Sequence, residues 1–238
     1  MKFILNNAVV LLSLALCDFA FAEPSAKNTG SFWKWFQTRE AELAILFSYE
    51  SGAKAQNDPK LQKKIEKTVL LVGDKLREVH PEFSPYFGFA AGSNIMTVTV
   101  HGEAEFFHEV DKFIQSAPKV GNWEFVALKQ PREMYAESEI HTGTVQLRVG
   151  DWSYLKKKTS SGKYNFQVYV PNKVSDDPDG FNRLFTRLIM DSLGERLANT
   201  VVGKVSVIQN PTAMPSGLIK FTDIISDVEE SVKSDEQD

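Results

Sequence analysis

The chain has 238 residues, of which 27 are basic and 31 are acidic, so its formal net charge is −4. Proteins that bind nucleic acid carry a basic footprint, and this acidic balance excludes that class. The one cysteine, Cys17, lies in a segment that we expect to be removed, so the mature protein must be stabilised by its hydrophobic core rather than by disulfides.

Residues 1–22 have the pattern of a secretory signal peptide. A charged start and an apolar run at residues 8–16 precede a small-residue cleavage site that ends at Ala22. The apolar run is too short to span a bilayer. Leu16 occupies the position before Cys17 where a lipoprotein signal requires a small residue, so we do not expect lipid attachment. The sequence therefore predicts a periplasmic or secreted protein that is cleaved after Ala22 and has no membrane span.

Two helices are predicted ahead of the first strand. Ser31 suits the N-cap of the first helix, whose apolar side chains recur at helical spacing. The aromatic residues of this helix cover an arc wider than one buried face, so we expect Trp35 at the rim as a partner-binding residue. Asp58 followed by Pro59 begins the second helix, which runs to about His80.

A strand, helix and strand then follow within about 35 residues, the size of one βαβ unit. An edge-type strand at residues 83–90 leads through a hairpin turn into a strand that ends at Val100. Residues 106–117 have the period of an amphipathic helix, which Pro118 ends because proline cannot continue it. A further strand is predicted at residues 123–128.

The second half repeats this order of elements. Its helix begins at Asp177-Pro178 and ends at Gly194, and the acidic residues 227–238 are predicted to be disordered. We interpret Trp152 and Tyr154 as candidate partner-binding residues. The strands of this half are predicted at residues 145–149, 152–158, 164–170 and 201–208.

These elements predict an α+β fold with a mixed sheet. The sheet is expected to come from two strand-strand-helix-strand halves, with helices packed on a face and two helices at the N-terminus. Residues 23–226 would form a single α+β domain between the signal peptide and the acidic tail. The halves could form one continuous sheet or two sheet portions, and their low residue identity leaves an internal duplication open.

Catalytic patterns are scarce. The sequence contains no G-x-S-x-G elbow and no glycine-rich phosphate loop, and its two S-x-x-K strings lack the companion elements of penicillin-recognising enzymes. A hydrolase would have to use His101, Glu105 and His108, which lie before and along one helix. Glu195 is a further candidate, because an acid at the negative end of a helix contradicts local preference. The histidines and acids of this helix face water, so we predict no metal and no cofactor.

Four signatures occur in order along the chain: Phe32-Trp33-x-Trp35-Phe36 with Glu40 and Glu42, Val79-His80-Pro81, Ser116-Ala117-Pro118 followed by Trp123, and Leu193-Gly194-Glu195. Together they resemble a group of uncharacterised bacterial proteins, and the resemblance covers most of the mature chain. It implies a shared architecture. It implies no mechanism, because that group has no established activity or catalytic residues. Many of its members lack a signal peptide, so export is a departure from the group.

We therefore expect an exported, non-catalytic protein that binds a partner, most plausibly another periplasmic protein. The aromatic residues Trp35, Trp152 and Tyr154 motivate this interpretation. One alternative is a periplasmic hydrolase with a histidine and carboxylate site. The other is a binder of a small ligand, which requires a concave pocket between sheet and helices.

Overall fold

The computed structural model describes residues 26–55, 57–142, 145–173 and 176–235. The predicted signal peptide lies outside these residues. The described chain is α+β, and none of its helices is long and apolar enough to cross a membrane. It forms two compact units where the sequence predicted a single domain. Unit 1 contains the described residues up to Val100 and Glu105–Ala127, and unit 2 contains His101–Ala104 and the described residues from Leu128 onward.

Unit 1 contains four helices and a three-stranded sheet in the order β1-β2-β3. Strands β1 and β2 are antiparallel, and β2 is parallel to β3 because α4 carries the chain back between them. The elements are α1 (Ala26–Leu46), α2 (Tyr49–Ala55), α3 (Pro59–Arg77), β1 (Ser84–Ala90), β2 (Ser93–Thr99), α4 (Phe107–Gln115) and β3 (Trp123–Ala127).

Among the described residues, three helices precede β1, whereas the sequence predicted two. The additional helix is α2, and the Ser48 hydroxyl accepts the Ser51 N–H at 3.2 Å at its start. The start of α3 is as predicted. Asp58 Oδ1 accepts the N–H groups of Lys60 and Leu61, and Pro59 occupies the first helical position.

The aromatic residues of α1 form the core of unit 1. Phe32, Trp33 and Phe36 are buried, and the Trp33 ring stacks on Phe113 of α4 with a centroid separation of 4.6 Å. Phe36 also contacts the Trp123 ring of β3, at 5.1 Å. Simple packing therefore explains most of the aromatic density in this helix.

Unit 2 contains a β4-β5 hairpin and a separate four-stranded sheet in the order β8-β7-β6-β9. Strands β6 and β7 are antiparallel, β7 and β8 are parallel, and α5 lies between β7 and β8 in the chain. The elements are β4 (Glu139–Thr142), β5 (Val145–Arg148), β6 (Ser153–Lys158), β7 (Tyr164–Val170), α5 (Pro178–Val201), β8 (Val202–Gln209), β9 (Ile219–Lys220) and α6 (Ile224–Asp235).

Two elements of unit 2 differ from the sequence prediction. The predicted helix end at Gly194 is present as a break, where Gly194 has φ 73° and ψ 159°, and a further helical stretch that was not predicted continues α5 to Val201. Residues 227–235, predicted as part of a disordered acidic tail, belong to helix α6. This helix forms because Ile224 and Val228 are buried and because its aspartates pair with lysines of β6.

Both units contain the same strand-strand-helix-strand order, β1-β2-α4-β3 and β6-β7-α5-β8, with the same sequence of antiparallel and parallel pairing. The correspondence extends to the residue after the last strand of each set. Leu128 follows β3 with φ 60°, and Asn210 follows β8 with φ 47°. The predicted strand-strand-helix-strand order therefore occurs twice in the described residues, and each occurrence has its own sheet.

Candidate functional site

The histidine and carboxylate candidates of the hydrolase interpretation are divided between the two units. His101, Glu105 and His108 are exposed, and His101 belongs to unit 2 whereas the other two belong to unit 1. Among the described residues, no group of three or more histidine, cysteine, aspartate or glutamate side chains could hold a metal ion.

Glu195 is an internal anchor within unit 2 rather than an exposed acid. It is 4% exposed, and its carboxylate accepts the Gly102 N–H at 2.9 Å and the Lys129 N–H at 2.7 Å. Its own N–H donates to the Lys129 carbonyl at 2.9 Å, and Asn199 Nδ2 donates to the Gly102 carbonyl at 2.8 Å. Backbone N–H donors from two separate chain segments therefore stabilise this buried carboxylate.

The break at Gly194 allows this arrangement. A Cβ at position 194 would lie 2.7 Å from the backbone nitrogen of Pro131, and the positive φ disfavours any other residue. The Arg132 N–H donates to the Ser192 carbonyl at 2.9 Å on the same stretch of α5. The Leu-Gly-Glu signature is thus explained by the docking of residues 128–132 on α5.

The predicted partner-binding residues of β6 are in the core. Trp152 is 1% exposed and Tyr154 is 0% exposed, so neither forms the surface that the sequence interpretation required, and that prediction was wrong. The strand itself was predicted, but not that its aromatic side lies inward. Trp35 remains half-buried, with its ring 5.8 Å from the ring of Phe32.

A different surface of unit 2 is concave and open to solvent. An open groove of about 420 Å³ lies in unit 2, within the usual size range of ligand sites. We call it the Tyr135 groove. Its lining residues are Glu133, Met134, Tyr135, Ala136, Thr222, Ile225, Ser226 and Glu229.

One wall of the Tyr135 groove is the segment before β4, which backbone hydrogen bonds hold in place. The Gly150 N–H donates to the Ala136 carbonyl at 2.9 Å, and the Val149 N–H donates to the Ser138 carbonyl at 3.0 Å. A Cβ at Gly150 would lie 2.8 Å from the Ala136 oxygen, so this close approach requires glycine. The wall is therefore fixed although it has no regular secondary structure.

The other wall is the start of α6, which two similar polar clusters attach to the sheet. The Asp227 carboxylate accepts the Tyr154 hydroxyl at 2.5 Å and pairs with the ammonium group of Lys156. Lys156 Nζ also donates to the Asp227 carbonyl at 2.9 Å. Burial and the bond to Asp227 raise the pKa of Tyr154 above its usual range, so the phenol stays a donor.

The second cluster lies eight residues further along α6. The Asp235 carboxylate accepts the Tyr164 hydroxyl at 2.7 Å and pairs with the ammonium group of Lys158. These two bonds lower the pKa of Asp235. The lysine run of β6 therefore attaches the acidic C-terminal helix.

The Tyr135 groove presents an exposed aromatic ring between carboxylates. Tyr135 is 59% exposed, whereas Met134 and Ile225 are partly buried and supply apolar surface. Glu133 and Glu229 are exposed, and neither has an ion-pair partner among the described residues. The groove was not among the predicted sites, although the pair Met134-Tyr135 is a signal for it in the sequence.

A second cavity bears on the small-ligand interpretation. It has a volume of about 250 Å³ and also lies in unit 2, with Arg148, Glu139 and Asp151 among its lining residues. This is below the usual range of about 300 to 1,000 Å³ for ligand sites. Its charged side chains are exposed, so it is a shallow polar depression rather than an enclosed pocket.

His80 is a buried titratable residue of unit 1. His80 is 3% exposed, and its ring lies 4.8 Å from the rings of both Phe83 and Phe106. Its Nδ1 accepts the Glu82 N–H at 3.3 Å. Burial lowers the pKa of His80, and the charges of Glu109 and Glu82 oppose that shift in part. Glu109 Oε2 is buried and has no hydrogen-bond partner in the part of the chain that the structure describes.

No family model, no curated protein and no solved structure matches the chain.

Proposed function

We propose that the chain is an exported, non-catalytic protein that binds another protein through the Tyr135 groove. The observation that carries the proposal is the 59% exposure of Tyr135 inside a groove of about 420 Å³. Aromatic residues are enriched in the cores of protein interfaces, and an exposed ring in a concave surface is an anchor for a partner.

The rigidity of both walls supports the same proposal. Backbone hydrogen bonds fix the segment that carries Tyr135, and the clusters at Asp227 and Asp235 fix α6. A preformed surface loses little conformational entropy when a partner binds. The groove is therefore suited to recognition without rearrangement.

Site-specific photocrosslinking tests this function. A photoreactive phenylalanine analogue replaces Tyr135 in the full chain, expressed in its own host. The control replaces Tyr86 of β1, which is 47% exposed in unit 1. We expect a discrete crosslinked protein at position 135 and none at position 86.

A blocking substitution makes the test specific. Ser226 is exposed and lines the groove, so Ser226→Trp should fill it while leaving thermal unfolding unchanged. We expect Ser226→Trp to abolish the adduct at position 135. No adduct at this position, or an adduct that persists in the folded Ser226→Trp variant, would contradict the proposed function.

A further inference from the structure

The charge of the Tyr135 groove identifies the chemistry of its partner. We infer that the groove binds a protein segment in which a lysine or arginine lies beside an apolar side chain. This inference rests on the proposed function and specifies what the partner presents. The titratable side chains that line the groove are the carboxylates of Glu133 and Glu229 and the phenol of Tyr135.

The two carboxylates are available to a cation. Both are exposed, and the described residues provide neither of them with an ion pair. Asp227 and Asp235 of α6, by contrast, are paired with lysines of β6. Asp227 and Asp235 therefore attach α6 to the sheet, whereas Glu133 and Glu229 stay open at the groove.

The aromatic ring favours the same class of ligand. The exposed face of Tyr135 attracts an ammonium or guanidinium group that lies within about 6 Å of the ring centroid. An apolar neighbour on the partner would pack against Met134 and Ile225, which are partly buried in the unit. The carboxylates favour a positive charge on the partner. The apolar surface of Met134 and Ile225 favours an apolar side chain beside that charge.

Binding of defined peptides tests the inference. The probe is a short fluorescein-labelled peptide in which lysine alternates with leucine, and its binding to the full mature chain is measured by fluorescence anisotropy. One control peptide carries glutamate in place of lysine, and another carries serine in place of leucine. We expect only the lysine and leucine peptide to bind.

Matched charge reversals locate the site. Glu133→Lys with Glu229→Lys should weaken binding by about tenfold or more, because two favourable charge interactions become repulsive. The control is Glu137→Lys with Glu230→Lys, which changes two exposed acidic residues outside the groove lining by the same total charge. We expect the control pair to change affinity by less than about twofold.

Several outcomes would overturn the inference. Equal binding of the glutamate peptide would remove the role of charge, and equal weakening by the control pair would reduce the effect to net charge. Displacement of the peptide by an equal concentration of spermidine would show that a free polyamine suffices. A specific adduct at position 135 with no binding of the lysine peptide would leave the proposed function standing and reject this partner chemistry, whereas failure of both experiments would reject both.

Discussion

Removing the Glu195 carboxylate should destabilise unit 2 more than any ordinary surface substitution. In Glu195→Ala the N–H groups of Gly102 and Lys129 lose their acceptor, and the surrounding structure leaves little room for water because the side chain is 4% exposed. Each buried donor left unsatisfied costs about 1 to 3 kcal/mol. We therefore expect the free energy of unfolding to fall by about 3 to 5 kcal/mol, which is a large fraction of a typical domain stability of about 5 to 15 kcal/mol.

Urea unfolding followed by far-ultraviolet circular dichroism and tryptophan fluorescence measures this effect. Unit 2 contributes Trp152, which is buried in its core, so the loss should appear in the transition that this residue reports. A variant with phenylalanine at the three tryptophan positions of unit 1 would make that assignment direct. The variant serves as the reference background for Glu195→Ala.

Two further substitutions separate the carboxylate from side-chain volume. Glu195→Gln retains the shape and one acceptor but directs an amide N–H toward a backbone donor, so it should also destabilise, by less than alanine. Glu230→Ala changes an exposed acid of α6 and should alter the free energy of unfolding by less than about 0.5 kcal/mol. A loss below about 1 kcal/mol in Glu195→Ala would refute the anchoring role.

Three further predictions concern other parts of the molecule. Gly194→Ala should lower the free energy of unfolding by at least about 2 kcal/mol in urea titrations. The positive φ is strained for alanine, and the added Cβ would contact Pro131. An unchanged free energy of unfolding would mean that α5 has no such break. Burial lowers the pKa of His80 in the folded protein below its ordinary value of about 6.5. The unfolded state therefore binds more protons, and thermal stability should fall as pH decreases through about 6.5. His80→Phe should remove that dependence, and an unchanged slope would assign it to another group. A double-mutant cycle of Lys156→Met and Asp227→Asn should give a coupling energy of about 1 to 3 kcal/mol, because both side chains are partly buried. Additive effects of the two substitutions would contradict the attachment of α6 through this pair.

Local sequence patterns predicted local structure well. The Asp-Pro pairs at Asp58 and Asp177 predicted the starts of α3 and α5, because both the cap and the restricted proline φ act within a few residues. The α+β class followed from the same periodicities. Helix α6 was missed because its acidic composition indicated disorder, whereas its lysine partners lie on β6, more than 70 residues earlier in the chain.

The candidate sites could not be predicted fully from the sequence, because contacts between residues far apart in the chain determine the role of their side chains. Glu195 was recognised as misplaced, but its partners Lys129 and Gly102 are 66 and 93 residues away, so its role depends on the fold. Trp152 and Tyr154 illustrate a second difficulty. Alternation indicates which residues share a face of a strand, but it does not indicate whether that face is covered. The Tyr135 groove arises from segments about 90 residues apart, so a pattern within either segment does not predict it.

The discontinuous composition of unit 2 restricts how this chain can be divided. Residues 101–104 belong to unit 2 although they precede α4 of unit 1, and the Gly102 backbone provides both a donor to Glu195 and an acceptor for Asn199. A gene fragment that begins at residue 128 would lack Gly102, so the carboxylate of Glu195 and the amide of Asn199 would each lose a partner. Recombination at a single crossover point would therefore not transfer unit 2 intact. We expect its two segments to be inherited, expressed and engineered together.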